Sequence, residues 1–300
     1  MVSTGFDDRD GLIWYDGQMV EWRTANVHIL THAMHYASCV FEGERVYNGK
    51  IFKLQEHSER LINSANILGF EIPYSVSEID DACINACQEN GIVDGYVRPI
   101  AWRGSEMMGV SAQDTQIHLA VAVWPWPSYF SPEARMKGIR LKTSKWRRPP
   151  PESAPVHAKA SGLYMICTLS KHEAEADGYD DALMLDWRGF VAEGTGANIF
   201  FVMSDGNLHT PPPDCFLNGI TRQSVFELAE IRNYEIIERH IKPEEIHDAK
   251  EVFVTGTAAE VTPVGEIDGT IIPVGPITKT LMEDYDKLVG KLPDNEASAA

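Results

Sequence analysis

The stretch His157-Ala158-Lys159-Ala160-Ser161-Gly162-Leu163-Tyr164 sets one lysine among small residues, with a tyrosine five positions on. A lysine so placed can be desolvated, which favours its neutral amine, and an amine attacks an aldehyde to give a Schiff base. Glu193 precedes Gly194-Thr195-Gly196. Glycines there let backbone approach a ligand, and the carboxylate can keep a pyridinium nitrogen protonated. Leu217-Asn218-Gly219-Ile220-Thr221 opens a predicted helix with Thr221 as its cap, and free N–H groups at a helix start suit a phosphate. Gly256-Thr257-Ala258 reads as a second turn able to present N–H groups and a hydroxyl to an anion. Arg60, on a predicted helix, could give a phosphate a bidentate contact. Tyr96 and Arg98, two apart on a predicted strand, share one face and suit a carboxylate. Singly, these are also a surface lysine, a turn glutamate, a surface ion pair and an ordinary cap. Jointly they suit a phosphorylated cofactor that acts as an electron sink.

The elements that must position these groups follow from periodicity. A hairpin spans residues 11–24 around Asp16-Gly17. From Gln55 a helical pattern puts Leu54, Ser58, Leu61, Ile62, Ala65 and Leu68 on one face, with Gly69 as its stop. A second helix runs from about Ser77 with Ile79, Ala82, Cys83, Ala86 and Cys87 inward, and strands follow at 95–103 and 117–124. Trp124-Pro125-Trp126-Pro127-Ser128-Tyr129-Phe130-Ser131-Pro132 breaks both periodicities. The expected organisation is therefore a domain over 1–124, an interdomain loop over 125–136 and a second domain over 137–292. A disordered tail is expected over 293–300. In the second domain we expect strands at 139–145, 181–186, 189–193, 234–239 and 251–255. Helices are expected at about 160–176, after Thr221, at 243–249 and at 277–290. Lys145-Trp146-Arg147-Arg148, before three prolines, reads as interdomain loop.

Composition narrows the class. Three hundred residues with 44% hydrophobic content can bury a large core, and a formal charge of −18 argues against nucleic-acid binding. Five scattered cysteines without a C-x-x-C fit a reducing cytoplasm. No signal-peptide pattern and no run of transmembrane length is visible, so a soluble cytoplasmic chain is expected. Gly194-Thr195-Gly196 lacks the third glycine of a dinucleotide fingerprint, and His172-Glu173 lacks the second histidine of a helical zinc site. No metal is expected.

In order along the chain stand His32-Ala33-Met34-His35-Tyr36, Val40-Phe41-Glu42-Gly43, Glu56-His57-Ser58-Glu59-Arg60-Leu61 and Tyr96-Val97-Arg98-Pro99. They are followed by the Lys159 stretch, Ala192-Glu193-Gly194, Gly219-Ile220-Thr221-Arg222, and the stretch from Gly256 to Val264. This ordered set resembles the fold-type IV (class IV) pyridoxal-phosphate aminotransferases, and within them the branched-chain amino-acid aminotransferases. The resemblance implies a mixed α/β fold, with a small α/β domain and a larger α/β pseudo-barrel domain. Pyridoxal 5′-phosphate would sit between them, and a homodimer would be the minimum functional unit. It implies ping-pong transfer of the amino group between branched-chain L-amino acids and 2-oxoglutarate. Lys159 would bind the cofactor covalently and shuttle the proton, Glu193 would bond the pyridine nitrogen, and Tyr164 the phenolic oxygen. Arg60, Ile220, Thr221 and Thr257, with Leu217, Gly219 and Gly256 beside them, would hold the phosphate. Tyr96, Thr257 and Ala258 would take the substrate α-carboxylate, and Arg98 the distal carboxylate of glutamate, helped by Tyr36 from a neighbouring subunit. Phe41, Trp126 and Tyr129 would wall the side-chain pocket. Asn218 stands where the family often has proline, Ala37 where glycine often follows the tyrosine, and Ala197 where many members have glutamate. Rival readings are a D-amino-acid or (R)-amine transaminase, an aminodeoxychorismate lyase, and a non-catalytic metabolite-binding protein.

Overall fold

The computed structural model describes residues 5–126 and 136–292. Most of the expected interdomain loop, Tyr129 included, and the expected tail over 293–300 lie outside the described residues. The chain divides into two compact units, Met1–Pro127 with Ala158–Leu163, and Ser128–His157 with Tyr164–Ala300. The lysine strip, expected in the larger domain, thus keeps its contacts with the first unit. Its backbone is the reason. The Lys159 N–H donates to Ser64 Oγ (3.0 Å), its carbonyl accepts from the Phe41 N–H (3.1 Å), and Ala160 bridges to Val40.

The first unit is an antiparallel sheet in the order β2 (Gln18–Glu21), β1 (Leu12–Tyr15), β7 (Ile117–Pro125), β6 (Gly95–Arg103), β4 (Glu44–Tyr47), β5 (Lys50–Ile51). Strand β3 (Cys39–Phe41) also pairs with β6. Asp16 and Gly17 both take positive φ, 46° and 89°, as a two-residue hairpin loop requires. Period-2 alternation turns Val97, Ala101, Leu119, Val121 and Val123 toward one face. There they pack with Leu61 and Ala65 of α2 (Leu54–Ile67) and Ile79, Ala82, Cys83 and Ala86 of α3 (Val76–Glu89). Tyr96, Arg98, Ile100 and Trp102 therefore share the opposite face. Helix α3 starts before the expected Ser77, because Ser75 and Glu78 form a capping box. Pro125 closes β7 opposite Gly95, so the strand runs into the Pro-rich segment before it stops. Ala37 ends α1 (His32–Tyr36) in the left-handed region, φ 55°, which costs a residue with a Cβ about 1–2 kcal/mol.

The second unit is a mixed, curled sheet, a half-barrel. Its order is β10 (Val191–Gly194), β9 (Asp181–Asp186), β8 (Ile139–Arg148), β15 (Glu260–Ile267), β14 (Glu251–Gly256), β11 (Asn198–Val202), β12 (Leu208–Thr210), β13 (Ile236–Glu238). The short β16 (Thr270–Ile271) pairs with β15. Strand β8 runs parallel to both neighbours. The core is aliphatic and aromatic, with Ile139, Leu141, Leu183, Ile199, Phe201, Val254 and Val264 at its centre. Helix α4 (Met165–Ala176) packs on β8 and β9, α5 (Ile220–Ile231) on β14, and α6 (Pro276–Leu288) on β14 and β15.

Two expectations are corrected here. Lys145–Arg148 is not loop but the end of β8, where Arg147 and Arg148 pair with Leu185 and Asp186 beyond a bulge. Successive strand residues face opposite sides, so exposed Arg147 is followed by a buried Arg148. The helix expected from Ala160 begins instead as a 3-10 turn, Ser161–Tyr164, and turns α-helical at Met165. No helix among the described residues is long and apolar enough to cross a membrane.

One buried carboxyl stands out in the first unit. Glu44 of β4 is fully buried, and neither of its oxygens has a hydrogen-bond partner among the described residues. Burial first, then the charges of Glu42 and Asp80, push it well above its ordinary value of 4.5, with Arg60 only partly offsetting them. Above that ordinary value the unfolded chain has shed a proton that the folded chain keeps, so stability falls as pH rises, by up to about 1.4 kcal/mol per pH unit. Glu44→Met is expected to raise stability at neutral pH and to flatten the pH dependence of denaturant unfolding between about pH 5 and 7. An unaltered slope would mean that Glu44 is ionised in the folded state.

Candidate active site

In the first unit the sequence-selected residues converge. Ala158 and Ala160 are buried on either side of half-buried Lys159, and the Lys159 Nζ lies 5.1 Å from the centroid of the Phe41 ring. The Arg98 guanidinium lies 4.8 Å from the same ring and 5.3 Å from that of Tyr96. Arg98 Nη2 donates to the Tyr96 hydroxyl at 3.4 Å, while its buried Nε has no hydrogen-bond partner among the described residues. Tyr96 stacks on Trp124 (5.2 Å) and meets Trp126 at 5.7 Å. Gly43 is obligatory beside it, since an added Cβ would stand 1.9 Å from the Tyr96 hydroxyl. The result is an amine and a guanidinium over an aromatic floor.

Arg60 is held from α2 by Glu42. Its Nε and Nη2 donate to the two carboxylate oxygens, each at 2.7 Å, and His57 Nδ1 lies 2.7 Å from Glu42 Oε2. Burial opposes ionisation of Glu42, but Arg60 and then His57 outweigh it and hold the carboxyl well below the usual range. Burial also lowers His57, so the ring donates to Glu42 as a neutral imidazole. The Nε/Nη2 edge of Arg60 is thereby spent on Glu42, and a two-pronged grip on a phosphate must use the Nη1/Nη2 edge.

The second unit presents a carboxylate and a helix start. Glu193 Oε1 lies 3.2 Å from Arg148 Nε, and its Oε2 accepts from Asn198 Nδ2 at 3.2 Å. Arg148 is buried; burial works against its charge, and Glu193 outweighs that, so the guanidinium is raised above its ordinary value. The cap of α5 is Gly219, not Thr221 as expected, with no side-chain cap bond, and Ile220 and Thr221 are buried in the first turn. Thr257 and Ala258 occupy the β14–β15 turn, half-buried. Tyr164 is half-buried just before α4. In the first unit Tyr36 is exposed on α1 and stacked on His32 at 4.5 Å.

Sequence reading overlooked Glu42, Arg148 and Asn198 as working residues. Glu42 was visible only as part of Phe41-Glu42-Gly43, and Arg148 was lost in a basic run. Asn198 heads an apolar strand, where a lone amide is a usable signal of a buried polar contact.

The family model for amino-transferase class IV matches residues 39–267. The chain belongs to the class IV aminotransferases. A curated relative, the branched-chain-amino-acid aminotransferase of Pseudomonas aeruginosa, is 44% identical over 94% of each chain. The class IV aminotransferase also matches the solved T.th. branched-chain amino acid aminotransferase in complex with N-(5′-phosphopyridoxyl)-L-glutamate. That match is 40% identical, covers 96% of this chain and 97% of that one, and has a TM-score of 0.89. The same T.th. enzyme complexed with 4-methylvaleric acid matches at 40% identity, 96% and 97% coverage and a TM-score of 0.88.

Proposed function

We infer that this class IV aminotransferase is a pyridoxal-5′-phosphate enzyme that moves the amino group between branched-chain L-amino acids (leucine, isoleucine, valine) and 2-oxoglutarate. The observation that carries the substrate reading is the cluster of Phe41, Tyr96, Trp126, Arg98 and Lys159, which joins apolar walls to one guanidinium. A glutamate adduct and an apolar acid are both ligands of the T.th. relative, which supports a site that serves both.

The residues fit the cofactor. Lys159 is the amine, the start of α5 with no side-chain cap bond suits a phosphate, and Glu193, held by Arg148 and Asn198, suits a ring nitrogen. When bound, the cofactor supplies an aldehyde and a ring that accepts the electron pair released at the substrate α-carbon. Lys159 Nζ holds and moves the α-proton, Glu193 keeps the ring nitrogen protonated, and Tyr164 bonds the phenolic oxygen. Arg60, Ile220, Thr221 and Thr257 hold the phosphate, beside Leu217, Gly219 and Gly256. Tyr96, Thr257 and Ala258 take the α-carboxylate. Arg98 takes the distal carboxylate of glutamate, with Tyr36 of the partner subunit. A homodimer is supported by the exposed apolar residues Val27, Ile29, Leu30, Met34 and Tyr36. A cytoplasmic setting suits five free, buried cysteines.

Arg60→Ala is expected to lose cofactor on dialysis faster than the parent. The variant gives up a charge-assisted contact worth about 1.5–3 kcal/mol, roughly 10- to 150-fold in affinity. Equal retention would place Arg60 outside the phosphate site. Arg98→Met tests the substrate assignment by single-turnover kinetics of the two half-reactions. The glutamate half should slow about a hundredfold, the equivalent of a charged hydrogen bond at the upper end of its range, while the leucine half changes only a few-fold. Equal losses on both sides would show that Arg98 binds the α-carboxylate instead.

A further inference from the structure

Asn198 makes three hydrogen bonds from a nearly buried side chain (4% exposed). Its Nδ2 donates to Glu193 Oε2 (3.2 Å) and to the Leu217 carbonyl (3.1 Å), and its Oδ1 accepts from the Gly219 N–H (3.1 Å). Both amide hydrogens and the carbonyl oxygen are thus used. One end of this set is the carboxylate assigned to the ring nitrogen; the other is the cap of α5, whose N-terminus is assigned to the phosphate. Gly219 is matched to it, because a Cβ there would stand 2.3 Å from Asn198 Oδ1. Gly219 has φ −66° and ψ 142°, which any residue adopts, so the glycine answers to this contact and not to backbone strain.

We propose that Asn198 is a positioning residue that fixes the span between Glu193 and the N-terminus of α5, and so matches the second unit to the length of a phosphorylated pyridine. This rests on the cofactor assignment above. A ligand that touches both ends gains from a fixed span, because its second contact forms without further ordering; a ligand that touches one end gains nothing. Asn198 is distinct in this from Arg148, whose partners are Glu193 and Cys167.

The test uses the full-length protein, stripped of cofactor and titrated with pyridoxal phosphate or, separately, with inorganic phosphate. A parent that takes up no pyridoxal phosphate defeats the function proposed above. With a parent that binds it, Asn198→Ala should lose at least about tenfold in affinity for pyridoxal phosphate, the size of a strong coupling, with phosphate affinity changed less than about twofold. Gly219→Ala should lose pyridoxal phosphate affinity to a similar degree by pushing the amide aside. The double variant should bind pyridoxal phosphate no more weakly than Asn198→Ala alone, since the clash has gone. The proposal is overturned if pyridoxal phosphate binding is unchanged in Asn198→Ala. It is equally overturned if phosphate and pyridoxal phosphate weaken by the same factor, or if the losses of the two single variants multiply in the double.

Discussion

Lys159→Ala is expected to abolish transamination, lowering turnover with leucine and 2-oxoglutarate by at least about 10⁴-fold, since the proposed mechanism makes one side chain both nucleophile and proton carrier. The fold should survive the change. Lys159 is tied in through its own N–H to Ser64 and its carbonyl to the Phe41 N–H, and neither bond involves the amine. The variant should still bind pyridoxal phosphate through the groups on the ring and phosphate. Borohydride should fix the cofactor covalently to the parent, at Lys159, and not to the variant. Partial recovery of turnover with an added small primary amine would separate loss of the amine from a disturbed site. Parent-like turnover in Lys159→Ala would remove the lysine from the mechanism.

Glu193→Gln is expected to retain cofactor yet slow turnover by roughly 10²–10³-fold, the usual cost of removing one electrostatic partner of a developing charge. The neutral amide no longer favours the protonated ring nitrogen. It also leaves the buried Arg148 without its carboxylate, and a broken buried pair costs about 3–5 kcal/mol of stability. Unfolding and turnover must therefore be measured together. Glu193→Asp keeps the charge, so it should recover stability more fully than Glu193→Gln. A Glu193→Gln enzyme that turns over at the parent rate would make Glu193 a purely structural partner of Arg148.

Much of this architecture was legible in sequence. The apolar spacing from Leu54 to Ala65 and from Ile79 to Cys87 gave α2 and α3 of the first unit, and alternation gave β6 with Tyr96 and Arg98 on one face. Polar partnerships were not legible, because they are long-range. Glu42 and Arg60 lie 18 residues apart, and nothing local joins Arg148 to Glu193. The start of α5 is instructive. A local capping rule selects Thr221, whose hydroxyl suits a cap. The cap is instead Gly219, whose N–H is satisfied by an amide 21 residues away in a contact that leaves no room for a Cβ. The misread of Lys145–Arg148 has a similar origin. Charge and neighbouring prolines suggested loop, but β8 continues past its bulge to Arg148, which is buried where Glu193 and Cys167 offset the cost.

The central claim is that one site exchanges an amino group between a branched-chain L-amino acid and 2-oxoglutarate through the cofactor at Lys159. Stopped-flow absorption of the purified, cofactor-loaded protein tests it most directly, one substrate at a time. L-leucine alone should discharge the visible absorption of the bound cofactor, and 2-oxoglutarate added afterwards should restore it, with D-leucine inactive in the first step. Discharge by D-leucine and not by L-leucine, or no discharge by either, would contradict the account.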